Sequence, residues 1–261
     1  MRLRVQGDGP LVVKVAGLAA GVGLYHEEVG RARASGFRVA ELDTTGDRAD
    51  DPAATPITWK MLADEVIEAL DRLEAERAVL WGTSFGSLVS LAAAARHPDR
   101  IRGLLLCSPP EPGWRPRPYL RVLEFTSSRR RPARVTARWF SIGFLILNSW
   151  EFINPLALVR LPGLARASRD ARTPATTILD KLVLLLRDEP GLPDPDGRMP
   201  CSIISGMFDT VTSPGASRRL ARKLPGSRLY RLPFAGHSCA YSRPRAYAER
   251  TLGELRRLAA G

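Results

Sequence analysis

The chain of 261 residues is long enough for one large α/β domain with an insertion, and its 44% hydrophobic content is that of a globular protein rather than a disordered one. No apolar run reaches the roughly 20 residues that a bilayer core requires. The net charge of +12 comes almost wholly from arginine, the only lysines being Lys14, Lys60, Lys181 and Lys223.

In chain order, strands are predicted near 2–6 and 11–16, a helix near 22–34, a strand near 37–42, a helix near 59–74 and a strand near 77–82. A helix near 85–96 follows, then a strand near 101–107. After a long insertion come a strand near 200–206, a helix near 214–223, a strand near 227–232 and a helix near 244–258. The 59–74 helix carries Leu62, Val66, Ala69, Leu70 and Leu73 on one face, the spacing of a packed amphipathic helix. Alternation of this kind predicts an α/β fold with a mostly parallel sheet covered by helices on both faces.

Between the 77–82 strand and the 85–96 helix lies Gly82-Thr83-Ser84-Phe85-Gly86, a G-x-S-x-G pentapeptide. Strand, glycine-flanked serine and helix together form the context of a nucleophile elbow. A strand that reverses into a helix this quickly crowds its backbone, so side chains at positions 82 and 86 would clash. A serine hydroxyl needs a base to take its proton, and the chain has only His26, His97 and His237. His97 precedes Pro98 and reads as a helix C-cap; His26 lies early in a predicted helix and reads as exposed. His237 lies in the loop after the last strand and is the candidate base. Asp209, just past the 200–206 strand, is the candidate acid that orients it, and Glu111 is its rival. Ser84, Asp209 and His237 each follow a predicted strand, so one edge of the sheet can gather them.

With these residues and this order, the chain resembles the α/β-hydrolase superfamily, and within it the esterase-like group with a helical cap. The resemblance covers roughly residues 11–110 and 199–260. It implies a core of residues 1–111 and 199–261 and a cap at 112–198, where predicted helices near 118–126, 132–148, 150–159 and 175–187 lie between proline-rich ends. It further implies an oxyanion hole made by the backbone N–H groups of Phe85 and Leu18. Two departures stand out. The loop at 16–17 reads Ala-Gly where the family usually has His-Gly, so a side chain that often braces it is missing. Lys14 puts a charge in a strand that should be buried, and its ammonium must snorkel out or find a carboxylate. The short N-terminus has room for one strand before residue 11 rather than the usual antiparallel pair.

The cap aromatics Trp114, Trp139, Phe140, Phe144, Trp150 and Phe152 form its own core or line a substrate pocket. Arg115, Arg117, Arg121, Arg129, Arg130, Arg131, Arg134 and Arg138 make one basic stretch opposed only by Glu124. Such a stretch fits a solvated face, an anionic substrate or a lipid surface; no nucleic-acid motif accompanies it. Asp8, Gly9, Pro10 and Lys14 break any signal-peptide core. Cys107, Cys201 and Cys239 are isolated and read as thiols in a reducing, cytoplasmic compartment. No zinc spacing, dinucleotide loop or P-loop occurs, so no metal and no cofactor is expected. The expected activity is hydrolysis of a small carboxylic ester through an acyl-enzyme. The same triad serves thioesterases, lactonases and acyltransferases, and a non-catalytic binding protein could keep the fold with a vestigial triad. Oligomeric state is left open.

Overall fold

A computed structural model describes residues 2–18, 25–47, 56–112, 175–193 and 199–261. Seven strands form one sheet: β1 (Arg2–Gln6), β2 (Leu11–Val15), β3 (Arg38–Asp43), β4 (Ala78–Thr83), β5 (Ile101–Cys107), β6 (Cys201–Gly206) and β7 (Arg228–Leu232). Their spatial order is β1-β3-β2-β4-β5-β6-β7. Only β1 runs antiparallel, pairing Arg2 with Asp43 and Gln6 with Val39 at one edge. The remaining pairs are parallel. Among the described residues one strand, β1, precedes β2.

The described helices are α1 (His26–Ala34), α2 (Trp59–Arg72), α3 (Phe85–Arg96), α4 (Ala175–Arg187), α5 (Pro214–Lys223), the single turn α6 (Cys239–Ser242) and α7 (Pro244–Ala260). Strand side chains alternate between the two faces of the sheet. Val13, Val15, Leu80, Leu104, Leu106 and Ile203 face a core shared with α2, α3, α4 and α5. Val12, Val79, Trp81, Leu105 and Ile204 face the other, shared with α1 and α7. Burial on both faces explains why β4 and β5 read as continuous apolar runs.

Helix α2 buries Leu62, Val66, Ala69 and Leu70, four of the five residues on its apolar stripe. Thr58 caps it, accepting a hydrogen bond from the Met61 N–H at 3.1 Å. Helix α3 is buried on nearly all sides from Phe85 to Ala94, and its C-terminal part, Ala92 to Ala95, is alanine: small side chains let neighbouring layers close around it.

Of the segment 112–198, α4 is described. It buries Ile178, Leu182, Leu184 and Leu185 in the same core as α2 and α3. Lys181 of α4 is 1% exposed; its ammonium donates to Asp47 Oδ1 at 2.6 Å and to Thr44 Oγ1 at 2.7 Å. Asp47 Oδ2 in turn accepts from the Thr44 N–H and hydroxyl. Removing one partner of such a pair leaves a buried charge uncompensated. Lys181→Ala is therefore expected to cost about 3–5 kcal/mol, seen as a lowered denaturant midpoint at unchanged slope; a loss below about 1 kcal/mol would show that water reaches the pair.

Candidate active site

The turn between β4 and α3 is as tight as the glycine pattern predicts. A Cβ on Gly82 would lie 2.5 Å from the Gly86 carbonyl oxygen, and one on Gly86 would lie 2.3 Å from that of Val15. Real Cβ atoms do not come that close, so both positions exclude a side chain. Ser84 itself has φ 51° and ψ −119°, left-handed space that is costly for a residue with a side chain and typical of functional turns. Its N–H donates to the Cys107 carbonyl at 2.8 Å, tying the elbow to the end of β5.

His237 and Asp209 arrive on two adjoining loops. The Phe208 N–H donates to the Ala235 carbonyl at 2.8 Å and the Met207 N–H to that of Leu232 at 3.0 Å, so the loops after β6 and β7 are stitched together. The Phe208 and Phe234 rings stack across them with centroids 5.9 Å apart. The Ser108 hydroxyl, fully buried, donates to the His237 carbonyl at 2.7 Å and holds that loop against the end of β5.

The three predicted residues meet in line. His237 Nε2 lies 3.0 Å from Ser84 Oγ, and His237 Nδ1 lies 2.9 Å from Asp209 Oδ2. Asp209 is 1% exposed and well satisfied: its Oδ1 accepts from the N–H groups of Val211 and Thr212, each at 2.9 Å, and its Oδ2 from the Thr212 hydroxyl at 2.7 Å. Burial pushes the Asp209 carboxyl up, but His237 and the Thr212 bonds outweigh it and hold the group below the usual carboxylate range. An ionised Asp209 accepts only, so His237 Nδ1 must donate. In the neutral ring Nε2 is then the acceptor, placed for the Ser84 proton.

The sign of this shift makes a prediction. A carboxyl whose pKa is lowered by folding adds stability above its unfolded value, and that stability is lost as pH falls through the folded value. The melting-temperature gap between the wild type and Asp209→Asn is expected to be widest above about pH 5 and to close below about pH 4. A gap that is constant from pH 7 to pH 3 would show that the carboxylate charge is not what the fold stabilises.

The other candidates separate from this cluster. Glu111 pairs with Arg219, and Lys223 Nζ lies 3.6 Å from it, whereas His237 Nδ1 is taken by Asp209. His97 caps the C-terminus of α3 and lies 3.2 Å from Asp64. His26 is exposed. Lys14 finds a carboxylate, Glu28, rather than snorkelling. Phe85 opens α3 and its ring stacks on Trp59 with centroids 5.3 Å apart, which fixes its backbone. The loop bearing Leu18 passes beside Ser84: a Cβ on Gly17 would lie 3.5 Å from Ser84 Cβ. Trp114, Trp139, Phe140, Phe144, Trp150 and Phe152, and the arginines from Arg115 to Arg138, lie outside the described residues. Among the described residues no group of His, Cys, Asp and Glu could hold a metal ion, and no helix is long and apolar enough to cross a membrane.

Thr212 and Ser108 hold the acid and the histidine loop without having been singled out in the sequence. Thr212 had a signal, since an aspartate followed three residues later by threonine is a pattern for a side-chain-bonded turn. Ser108 had none, because its partner is 129 positions away.

A mostly parallel sheet with serine, acid and histidine at the strand ends, in that chain order, defines the α/β-hydrolase class. Residues 10–244 match the family described as alpha/beta hydrolase fold, and the chain belongs to it. RutD of Caulobacter sp. (strain K31), named as a candidate carbamate hydrolase, is 26% identical over 273 residues, covering 95% of this chain and 91% of its own. An esterase from Exiguobacterium antarcticum superposes with a TM-score of 0.78 at 19% identity, covering 97% of this chain and 94% of its own. The enol-lactonase from Burkholderia xenovorans LB400 superposes with a TM-score of 0.76 at 24% identity, covering 98% of this chain and 96% of its own. At such identities the two structures speak to the fold alone.

Proposed function

We propose that the chain is a serine hydrolase that cleaves a carboxylic ester through an acyl-enzyme. The observation that carries this reading is the unbroken line from Ser84 Oγ to His237 Nε2 at 3.0 Å and from His237 Nδ1 to Asp209 at 2.9 Å. Ser84 attacks the acyl carbon while His237 takes its proton and then passes it to the leaving alcohol. Asp209 holds the imidazole tautomer and balances its transient charge. The N–H groups of Phe85 and Leu18 receive the oxyanion, helped by the N-terminus of α3. Water, activated by His237, then releases the acid. The name of the relative RutD, a candidate carbamate hydrolase, describes attack at an acyl carbon, which supports this chemistry.

We propose that residues 112–198 form a cap over the site, α4 being the part of it that packs back on the core, and that Trp114, Trp139, Phe140, Phe144 and Trp150 are candidates for its pocket. The three free, buried cysteines support a reducing, cytoplasmic setting. The test is labelling with a fluorophosphonate, mapped by peptide mass, followed by nitrophenyl esters of graded chain length. Stoichiometric label on Ser84 with ester turnover is expected. No label and no turnover would leave a non-catalytic binding protein.

A further inference from the structure

Lys14 lies in the interior of β2, opposite Glu41 of β3 and Trp81 of β4, and is 1% exposed. Its ammonium donates to Glu28 Oε2 at 3.3 Å and to Thr83 Oγ1 at 2.7 Å. It also lies 3.9 Å from the centroid of the Trp81 ring and 4.2 Å from that of Tyr25. Glu28 Oε2 also accepts from the Tyr247 hydroxyl at 3.1 Å, which fixes the carboxylate from the α7 side. Such a cluster is hard to justify on stability. Desolvating the two ions costs about as much as their attraction returns, and apolar side chains of similar volume would serve the fold as well.

Two of its contacts end on the backbone segments that flank Ser84. Thr83 is the residue before the serine. Tyr25, 8% exposed, accepts a hydrogen bond from the Gly17 N–H at 3.2 Å. Burial pushes the Tyr25 phenol far up, so it stays a neutral hydroxyl across the working pH range. A Cβ on Gly17 would lie 3.2 Å from the Tyr25 hydroxyl, 3.3 Å from the Thr83 carbonyl oxygen and 3.5 Å from Ser84 Cβ. The loop thus passes between the tyrosine, which it meets through the Gly17 N–H, and the elbow.

We infer that Tyr25, whose ring packs on the Lys14 ammonium that Glu28 holds, is a positioning residue that sets the Gly17–Leu18 loop against the Ser84 elbow, so that the N–H groups of Leu18 and Phe85 converge on one oxyanion. Tyr25 holds the loop side, Lys14 holds the elbow side through Thr83, and the cation–ring contact joins them. Tyr25 braces the loop at the place where Ala16 offers no polar side chain. The inference rests on the hydrolase reading above, because only a reaction that develops an oxyanion needs this convergence.

The test is Tyr25→Phe, which keeps the ring over Lys14 and removes only the hydroxyl. The expected result is a kcat about tenfold to a hundredfold lower, from misaiming one donor. KM should stay within about twofold and full fluorophosphonate labelling of Ser84 should still be reached, though more slowly. A trifluoromethyl ketone, whose carbonyl carbon bonds Ser84 Oγ while its oxygen becomes an oxyanion and the serine proton passes to His237, should lose affinity by the same factor as kcat/KM. A purely structural tyrosine would lower the melting temperature and leave that ratio intact. Wild-type kcat and ketone affinity in Tyr25→Phe would overturn the inference. If that variant does not fold, Thr83→Val, which removes the elbow-side acceptor of Lys14 at nearly constant volume and leaves Glu28 in place, carries the test, and unchanged kcat and ketone affinity there would likewise overturn it. Wild-type protein that neither labels nor hydrolyses any ester would instead bring down the hydrolase reading and this role with it.

Discussion

Ser84→Ala is expected to lower kcat on a nitrophenyl ester by about a millionfold, and His237→Ala by nearly as much, because triad members act as a unit. Without the hydroxyl there is no acyl-enzyme. Without imidazole Nε2 the serine loses the acceptor on which its 3.0 Å contact ends. The double variant should be no slower than either single one. The fold should be preserved, because the strain at Ser84 is carried by a φ of 51° that alanine tolerates no worse than serine, and the methyl fits where the hydroxymethylene did. The measurement is steady-state turnover with a parallel melt. Retention of more than about 1% of wild-type kcat in Ser84→Ala, on the millionfold scale set by triad enzymes, would mean that water attacks the ester directly and that Ser84 is not the nucleophile.

The positions of the seven strands and of the elbow were legible because their signals are local. The central strands β2, β4, β5 and β6 are short, largely apolar runs, and Gly82 and Gly86 mark the tight turn by the absence of side chains. That Asp209 and His237 come together beside Ser84 was legible from elimination among three histidines and from their places after β6 and β7. The supporting contacts were not legible, because they join residues far apart in sequence. Lys14 was visible as a charge in an apolar strand, but its partners Glu28 and Thr83 lie on α1 and at the end of β4. The brace on the 16–18 loop looked absent with Ala16 in place, yet Tyr25, eight positions after Gly17, supplies it from the start of α1. Ser213 stands at the N-cap of α5 as its sequence position suggests, but its side chain makes no capping bond and its φ is 59°, so proline at the first helical position sets that start without help from the serine hydroxyl.

Asp209→Asn is expected to cost about ten-thousandfold in kcat, while Glu111→Gln should leave kcat within about twofold of wild type, the scale of a lost exposed ion pair. The contrast follows from what each carboxylate holds. Asp209 Oδ2 accepts the His237 Nδ1–H at 2.9 Å, and the Thr212 hydroxyl and the N–H groups of Val211 and Thr212 keep the carboxylate aimed there. An asparagine held by the same donors keeps its oxygen toward the backbone N–H groups and turns its NH2 toward the ring. The imidazole then moves its proton to Nε2, the atom that must accept from Ser84. Geometry survives and the base is lost, so the defect should fall on kcat with little change in KM. Among the described residues Glu111 pairs with Arg219 and Lys223, whose side chains are 48% and 44% exposed. Solvent screens such contacts, and their loss is worth no more than about 1 kcal/mol of stability. Measuring kcat, KM and the melting temperature of both variants on one ester decides the assignment. A larger kcat loss for Glu111→Gln than for Asp209→Asn would make Glu111 the acid that orients His237 in the working enzyme, and would require the loop after β5 to move toward the histidine when substrate binds.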